Sequence, residues 1–246
     1  MKAFLLAAGK GTRLRPYTDF RPKCLMPIHG KTLLEIWIDL LKLHGVDRVL
    51  INTHHFADQV EQAVDHLRVE KKVEIVSVHE PELLGSGGTL LANTEFIEPG
   101  EDFLIIYADN LTEVDLSAMM HFHRQRKAAG CLLTMGLFKT DTPNTCGIAT
   151  LNATQTVVGF IEKPVKPESN LANAGIYVAT YDILETCRAI RQTIGKGLLD
   201  IGFHLLPELI GRMSGYEIEE DLIDIGTVAA YERALAIWPR NTEGDR

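Results

Sequence analysis

The residues with the clearest chemical potential stand near the N-terminus, in Ala8-Gly9-Lys10-Gly11-Thr12-Arg13-Leu14-Arg15-Pro16. A glycine-rich turn lets several backbone N–H groups point at one anion, and Lys10, Arg13 and Arg15 add positive charge, so the segment suits phosphate. It fits neither common phosphate-loop pattern. The dinucleotide fingerprint needs a third glycine where Leu14 stands, and the Walker loop needs Gly-Lys-Ser/Thr after four spacer residues. The plainer reading is a tight turn with solvated charges. Arg21-Pro22-Lys23-Cys24-Leu25-Met26-Pro27-Ile28 follows. Two prolines stiffen an apolar stretch around one lysine, which can fix a cation against a phosphate, although a lysine between prolines is more often simply exposed.

Such residues need a frame. Ala3 to Ala8 is a short apolar run ending in glycine and reads as a buried parallel strand. Thr32 to His44 carries apolar residues at helical spacing and stops at Gly45. Strands are expected at Arg48–Asn52, Val73–Val78 and Phe103–Ala108, and helices at Ala57–Leu67, Gly87–Asn93 and Leu116–Ala128. This alternation implies an α/β fold: a three-layer, Rossmann-like, mostly parallel sheet with helices on both faces. Ligands in such sheets bind beyond the carboxyl ends of the strands, where both Gly9 and Asp109 fall. The second half is less regular. Strands are expected at Cys131–Leu137, Gly147–Leu151, Val157–Ile161, Ala174–Ala179, Tyr216–Glu219 and Leu222–Ile225, and helices at Ile201–Met213 and Thr227–Ile237. Asn241 to Arg246 is polar and expected to fray. With no repeat, low-complexity tract or linker, residues 1–240 are expected to form a single domain. Residues 1–115 would be its nucleotide-binding half, and 116–240 would extend the same sheet and add a pocket.

Bulk properties narrow the class. The 246 residues are 46% apolar and 24% charged, enough for an ordinary core. A net charge of −8 argues against a nucleic-acid partner, which needs a basic face. The cysteines Cys24, Cys131, Cys146 and Cys187 form no CxxC pair and read as free thiols in a reducing compartment. The apolar run in MKAFLLAAGKG is too short for a signal peptide, and nothing approaches a membrane span of about 20 apolar residues, so a cytoplasmic location and no membrane partner are expected. His54-His55 and the pair His121 and His123 lack the i, i+4 spacing of a metal site.

Taken together, AAGKGTRLRP and RPKCLMPI resemble the GxGTRLxP loop and PKxLxP segment of the sugar-1-phosphate nucleotidyltransferases. Further stretches agree in order. Leu84-Gly85-Ser86-Gly87-Gly88-Thr89-Leu90 resembles the family's base-binding turn. Tyr107-Ala108-Asp109-Asn110 resembles its G-D-N strand end, with Ala108 in place of the usual glycine. Phe160 to Pro164, Asn173 to Tyr177 and Asp224 to Thr227 resemble its F-x-E-K-P, N-A-G-I-Y and D-x-G-T. The likeness spans residues 1 to about 235 and implies the nucleotide-diphospho-sugar transferase type of fold. It also implies attack by a sugar phosphate oxygen on the α-phosphorus of a nucleoside triphosphate. Two anions must then meet, so cations matter more than a base, and no nucleophilic side chain is required.

By this resemblance Ala7, Ala8, Gly9, Gly11 and Thr12 hold the nucleotide and Arg13 the departing pyrophosphate. Lys23 neutralises the α-phosphate and the leaving group, and Asp109 and Asp224 hold Mg²⁺. Lys163 grips the sugar phosphate, while Glu162 and Asn173 meet sugar hydroxyls and Gly147 and Gly175 permit close approach. Plainer roles compete: Asp109 or Asp224 as a cap, Lys163 solvated, Glu162 paired with a lysine, Gly147 serving a turn. Glu80 and Gly85 stand in the expected base-reading segment. A carboxylate there can accept from guanine N1–H and N2–H₂ together, which favours GTP. Val49 to Asp58 looks most like short mannose-1-phosphate guanylyltransferase-like members, and members using heptose or N-acetylmuramate phosphates look similar. No C-terminal β-helix domain of the kind longer relatives append is expected, and with it no second transferase activity. The partners are thus an NTP and a sugar 1-phosphate, with a homodimer as the assembly to consider. The competing readings are a UTP- or CTP-dependent enzyme for another sugar or for phosphocholine, and a non-catalytic nucleotide-sugar-binding module.

Overall fold

The computed structural model describes residues 1–238; the polar stretch 241–246 lies outside them. In chain order the elements are β1 (Lys2–Leu6), β2 (Pro27–Ile28), β3 (Lys31–Thr32), α1 (Leu33–Leu43), β4 (Arg48–Thr53), α2 (Ala57–Lys71), β5 (Glu74–His79) and α3 (Ser86–Ala92). β6 (Asp102–Tyr107), β7 (Asn110–Thr112), α4 (Leu116–Lys127), β8 (Leu133–Lys139), β9 (Gly147–Leu151), β10 (Val157–Glu162) and β11 (Leu171–Thr180) follow. The chain closes with α5 (Ile183–Ile194), a π turn (Ile201–Leu205) running into α6 (Leu206–Glu208), then β12 (Met213–Glu217), β13 (Leu222–Asp224) and α7 (Val228–Ile237).

The main sheet has nine strands, and its spine runs β12-β8-β11-β6-β1-β4-β5, with β9 and β10 branching from the N-terminal part of β11. β1 pairs in parallel with β4 and β6, and β4 with β5. β11 joins the second half of the chain to the first by pairing antiparallel with β6. Along the spine only β11 runs against the others, so the sheet is mixed and mostly parallel. Strand residues alternate between the two faces, as the pleat demands. Ala3 and Leu5 of β1 face the core under α1, α2, α4 and α7, while Phe4 and Leu6 face the core under α3 and α5.

Local chemistry sets the elements that matter for the site. α1 begins at a capping box: Glu35 N–H donates to Thr32 Oγ1 at 3.2 Å, and Thr32 N–H to Glu35 Oε2 at 2.6 Å. Trp37, on the buried face of α1, donates from Nε1 to Asn110 O at 2.8 Å, which pins the start of β7 beside Asp109. The expected helix over Ile201–Met213 is corrected by the structure. Its helical part ends at Glu208, Gly211 turns the chain at φ +82°, and Met213 opens β12 against Leu133 of β8. Pro207 removes one helical donor, and Gly211 supplies a conformation that few other residues adopt. α5 has no counterpart in the sequence reading, although Ile183, Leu184 and Cys187 are spaced to bury one helical face.

Candidate active site

β1 ends at Leu6, and the chain crosses the sheet edge as an open loop. Ala7 N–H donates to Asn52 Oδ1 at 2.8 Å, which holds the loop to the end of β4. Gly9 has nothing within 4 Å of the place a side chain would occupy, so an anion can approach its backbone. Gly11 sits at φ +63°, and a Cβ there would meet the side chains of Thr18 and Lys23 at 3.1 and 3.3 Å. Leu14 anchors the short turn Thr12–Leu14 in the core, leaving Lys10, Thr12 and Arg13 exposed.

Lys23 is the electrostatic centre. It is 7% exposed, and its Nζ donates to Asp109 Oδ2 at 2.8 Å and to Asp224 Oδ1 at 3.2 Å. Those carboxylates lie far apart in sequence, and a small antiparallel ladder joins them. β13 pairs with β7, with Asp224 opposite Asn110, and Ile225 N–H donates to Asp109 O at 3.2 Å. Asp224 does not cap α7; Thr227 does, accepting from Ala230 N–H. Gly226 keeps the corner clear, since a Cβ there would lie 2.8 Å from Asp224 Oδ1 and 3.0 Å from Arg13 Nη2. Arg13 therefore stands beside Asp224 although their chain positions are remote.

The two Asp side chains are 40% and 49% exposed, and their oxygens already converge on one cation, the lysine ammonium. Hard oxygen donors meeting at the edge of a cavity fit Mg²⁺. Among the described residues no group of three or more His, Cys, Asp or Glu is assembled for a metal, so further ligands would have to be substrate oxygens and water.

The cavity beside this trio holds about 190 Å³. Ala7, Ala8, Gly9, Lys23, Asp109, Glu80 and Gly85 line it. Asn52, Ser86, Tyr107 and Asp200 also line it and were not in the expected site. Glu80 differs from its expected role. It is 3% exposed; Oε1 accepts from Asn52 Nδ2 at 2.9 Å and from the Thr89 hydroxyl, and Oε2 accepts from Leu84 N–H at 3.1 Å. Its carboxylate braces the loop through these bonds. Gly85 is at φ +81°, and a Cβ would come within 2.5 Å of Leu199 O.

A second cluster lies on β9, β10 and β11. Gly147 and Glu162 are ladder partners, and a Cβ on Gly147 would be 2.5 Å from Glu162 Oε2. Burial raises the Glu162 carboxyl above its ordinary range; Lys163 opposes this and Asp200 adds to it. Lys163 is exposed, with Nζ 4.0 Å from Glu162, and its backbone takes the left-handed φ of +50° that non-glycine residues rarely adopt. Asn173 is partly committed: Oδ1 accepts from Gly175 N–H at 3.0 Å and Nδ2 donates to Tyr177 OH at 2.7 Å. These bonds hold a bulge in β11, with Gly175 at φ +66° packed on Tyr107 of the cavity wall. Gly147, Glu162, Lys163, Asn173 and Gly175 thus stand outside the cavity proper; Gly175 adjoins it through Tyr107, and Glu162 faces Asp200 of its lining across Gly202.

A loop with open backbone, a cation pinned between two carboxylates and an adjoining polar cluster give the site the chemistry to take phosphate-bearing ligands. Cys24, the cavity's thiol, is buried, and burial pushes it up to about 12. A profile of the nucleotidyl transferase family matches residues 2–239, and the chain belongs to that family. It is 30% identical over 236 residues to a Sulfolobus acidocaldarius protein named as a mannose-1-phosphate guanyltransferase, covering 95% of this chain and 62% of that one. It is 29% identical over 252 residues to the UTP–glucose-1-phosphate uridylyltransferase of Synechocystis, covering 96% and 62%. The chain therefore spans about three-fifths of the length of the curated relatives it matches. A Bacillus anthracis structure named as a glucose-1-phosphate thymidylyltransferase in complex with sucrose superposes with a TM-score of 0.86 at 22% identity, covering 100% of this chain and 98% of that one, which establishes the shared fold. No helix among the described residues is long and apolar enough to cross a membrane.

Proposed function

We propose that this chain transfers a nucleoside monophosphate from an NTP to a sugar 1-phosphate and releases pyrophosphate. The observation that carries the reading is Lys23, held by Asp109 and Asp224 at a cavity that the start of the glycine-rich loop also lines. A sugar phosphate oxygen attacks the α-phosphorus, a new P–O bond forms, and the bond to the β-phosphate oxygen breaks with its electron pair leaving on pyrophosphate. Lys23 offsets the charge that crowds around the α-phosphorus. The backbone of Gly9, Gly11 and Thr12 and the Arg13 guanidinium hold the departing group. Lys163 draws in the sugar phosphate, and Glu162 and the free lone pair of Asn173 meet its hydroxyls. Asp109 and Asp224 would hold Mg²⁺, which when bound neutralises phosphate charge. In this division the first half of the chain carries the nucleotide and the second the sugar phosphate.

GTP with mannose 1-phosphate is the pair we favour, on the likeness to the Sulfolobus protein and on the segment Val49 to Asp58. The inward turn of Glu80 removes the separate argument for guanine. A cytoplasmic location belongs to the same proposal, in keeping with four free thiols.

A panel of nucleoside triphosphates against sugar phosphates, read by pyrophosphate release, tests the reading. Turnover with a hexose 1-phosphate is expected; silence with every pair would sink it, and release with phosphocholine alone would favour the alcohol-phosphate alternative. Asp224→Asn is expected to weaken the Mg²⁺ dependence of turnover sharply, and an unchanged Mg²⁺ titration would remove Asp224 from the metal site.

A further inference from the structure

In the main sheet β4 lies between β1 and β5, so it separates the glycine-rich loop after β1 from the segment Glu80 to Gly85 after β5. Among the described residues no hydrogen bond joins that loop to that segment directly. Asn52, the residue of β4 level with Leu6, bridges them. It is 4% exposed. Its Oδ1 accepts from Ala7 N–H at 2.8 Å, while its Nδ2 donates to Glu80 Oε1 at 2.9 Å and to Thr89 Oγ1 at 3.1 Å. Glu80 Oε2 accepts in turn from Leu84 N–H at 3.1 Å. An unbroken run of bonds thus leads from the backbone of Leu84, through one carboxylate and one amide, to the backbone of Ala7. Both ends open on the same cavity, which Ala7, Ala8 and Gly9 line together with Leu83 and Gly85.

The chemistry of this bridge admits few side chains. One end must accept and the other must donate, which an amide does and neither a carboxylate nor an alkyl group can. The partners also fix which way round the amide lies. Reversed, it would set N–H against N–H at Ala7 and a carbonyl against the Glu80 carboxylate. Glu80 is 3% exposed, and its donors are the neutral groups of Asn52, Thr89 and Leu84. Taking a donor from a buried carboxylate is costly, so a displacement of Glu80 carries the Asn52 amide with it.

We propose that Asn52 is a positioning residue that couples the two ends, so that a nucleobase seated against Leu83 and Gly85 sets the loop backbone at Ala7 and Gly9 for phosphate. This rests on the nucleotidyl-transfer reading above, with the base held by the segment after β5. By linkage, phosphate on the loop favours the base to the same degree. NTP selection is then made over the whole nucleotide: a wrong base weakens the hold on its own triphosphate as well as losing contacts of its own.

Calorimetric binding of inorganic tripolyphosphate with Mg²⁺, with and without each common nucleoside, tests this. One nucleoside is expected to tighten tripolyphosphate binding to the wild type on the order of fivefold or more. Asn52→Asp keeps the acceptor for Ala7 but sets a carboxylate against Glu80, so the coupling should fall to about twofold or less. Asn52→Asp combined with Glu80→Gln moves the charge across the bridge and again pairs a donor with an acceptor, so the coupling should return. Thermal unfolding accompanies each variant, because a purely structural role would lower the melting temperature and leave the coupling of the folded protein intact. In turnover, Asn52→Asp should raise KM for the NTP on the order of tenfold and flatten the preference among NTPs, with KM for the sugar phosphate near the wild-type value. A wild type in which no nucleoside alters tripolyphosphate affinity, or an Asn52→Asp variant with full coupling, would overturn the proposal, and turnover with a hexose 1-phosphate would leave the reaction class standing. A wild type inactive with every NTP and sugar phosphate would instead sink that reading, whatever the coupling.

Discussion

Lys23 shows how far one residue can be read from its neighbours in sequence. Flanking prolines suggest a fixed cation, and the family likeness implies two metal-binding carboxylates, Asp109 and Asp224; that both of them bond to its Nζ is seen only in the structure. Lys23→Ala removes the charge and leaves two carboxylates facing each other. Activity should fall roughly a hundredfold to a thousandfold, at about 1.4 kcal/mol per tenfold, with turnover suffering more than NTP affinity. Steady-state kinetics of the folded variant measure this, and a loss below tenfold would refute the central role. Glu80 was less legible. A carboxylate in a base-binding segment invites the idea that it reads the base, but its partners Asn52 and Thr89 come from other elements, and no local pattern shows a side chain turning inward. Asp200 was missed for a related reason: contacts with Ser86, remote in sequence, bring it to the cavity wall, and no local spacing points to it.

Among the elements, the alternation of apolar runs and helical spacings marked out the parallel core, because strands buried on both faces are continuous apolar segments. The second half was read less well. Its strands follow the split pairing of β11, and the segment from the π turn to β12 combines Gly202, Pro207 and Gly211 in a way that single-period patterns do not describe. The contact between the turn before α3 and the strand-like segment at Leu199 carries a prediction of its own. Gly85 combines φ +81° with backbone 2.5 Å from its would-be Cβ, so Gly85→Ala must move the Leu199 segment or strain the turn. We expect a loss of about 2 kcal/mol or more in urea unfolding together with a raised KM for the NTP. Wild-type values for both would show that the turn accommodates a methyl group.

At the scale of the molecule, stability should depend on pH through His123. It is fully buried under α4, with Nδ1 bonded to Thr134 Oγ1 at 2.9 Å and Nε2 without a partner. Burial depresses it to about 4, helped by Lys127 and Arg124 and opposed by Asp102. Between the ordinary histidine value of about 6.5 and that depressed value, the unfolded chain binds a proton that the folded chain refuses, so stability falls as the pH drops through this window. Replacing it in His123→Gln should flatten that slope in urea unfolding measured from about pH 6.5 to about pH 4; an undiminished slope would assign it to other groups. The ladder of β7 and β13 has a consequence for synthesis. A chain emerging from the ribosome can form its phosphate loop and bury Trp37 early. Asp224 is added only after β8 to β12 have been made, and until then Lys23 has one acid where the folded site has two. The growing polypeptide should remain catalytically silent until the three-residue strand β13 arrives and pairs with β7.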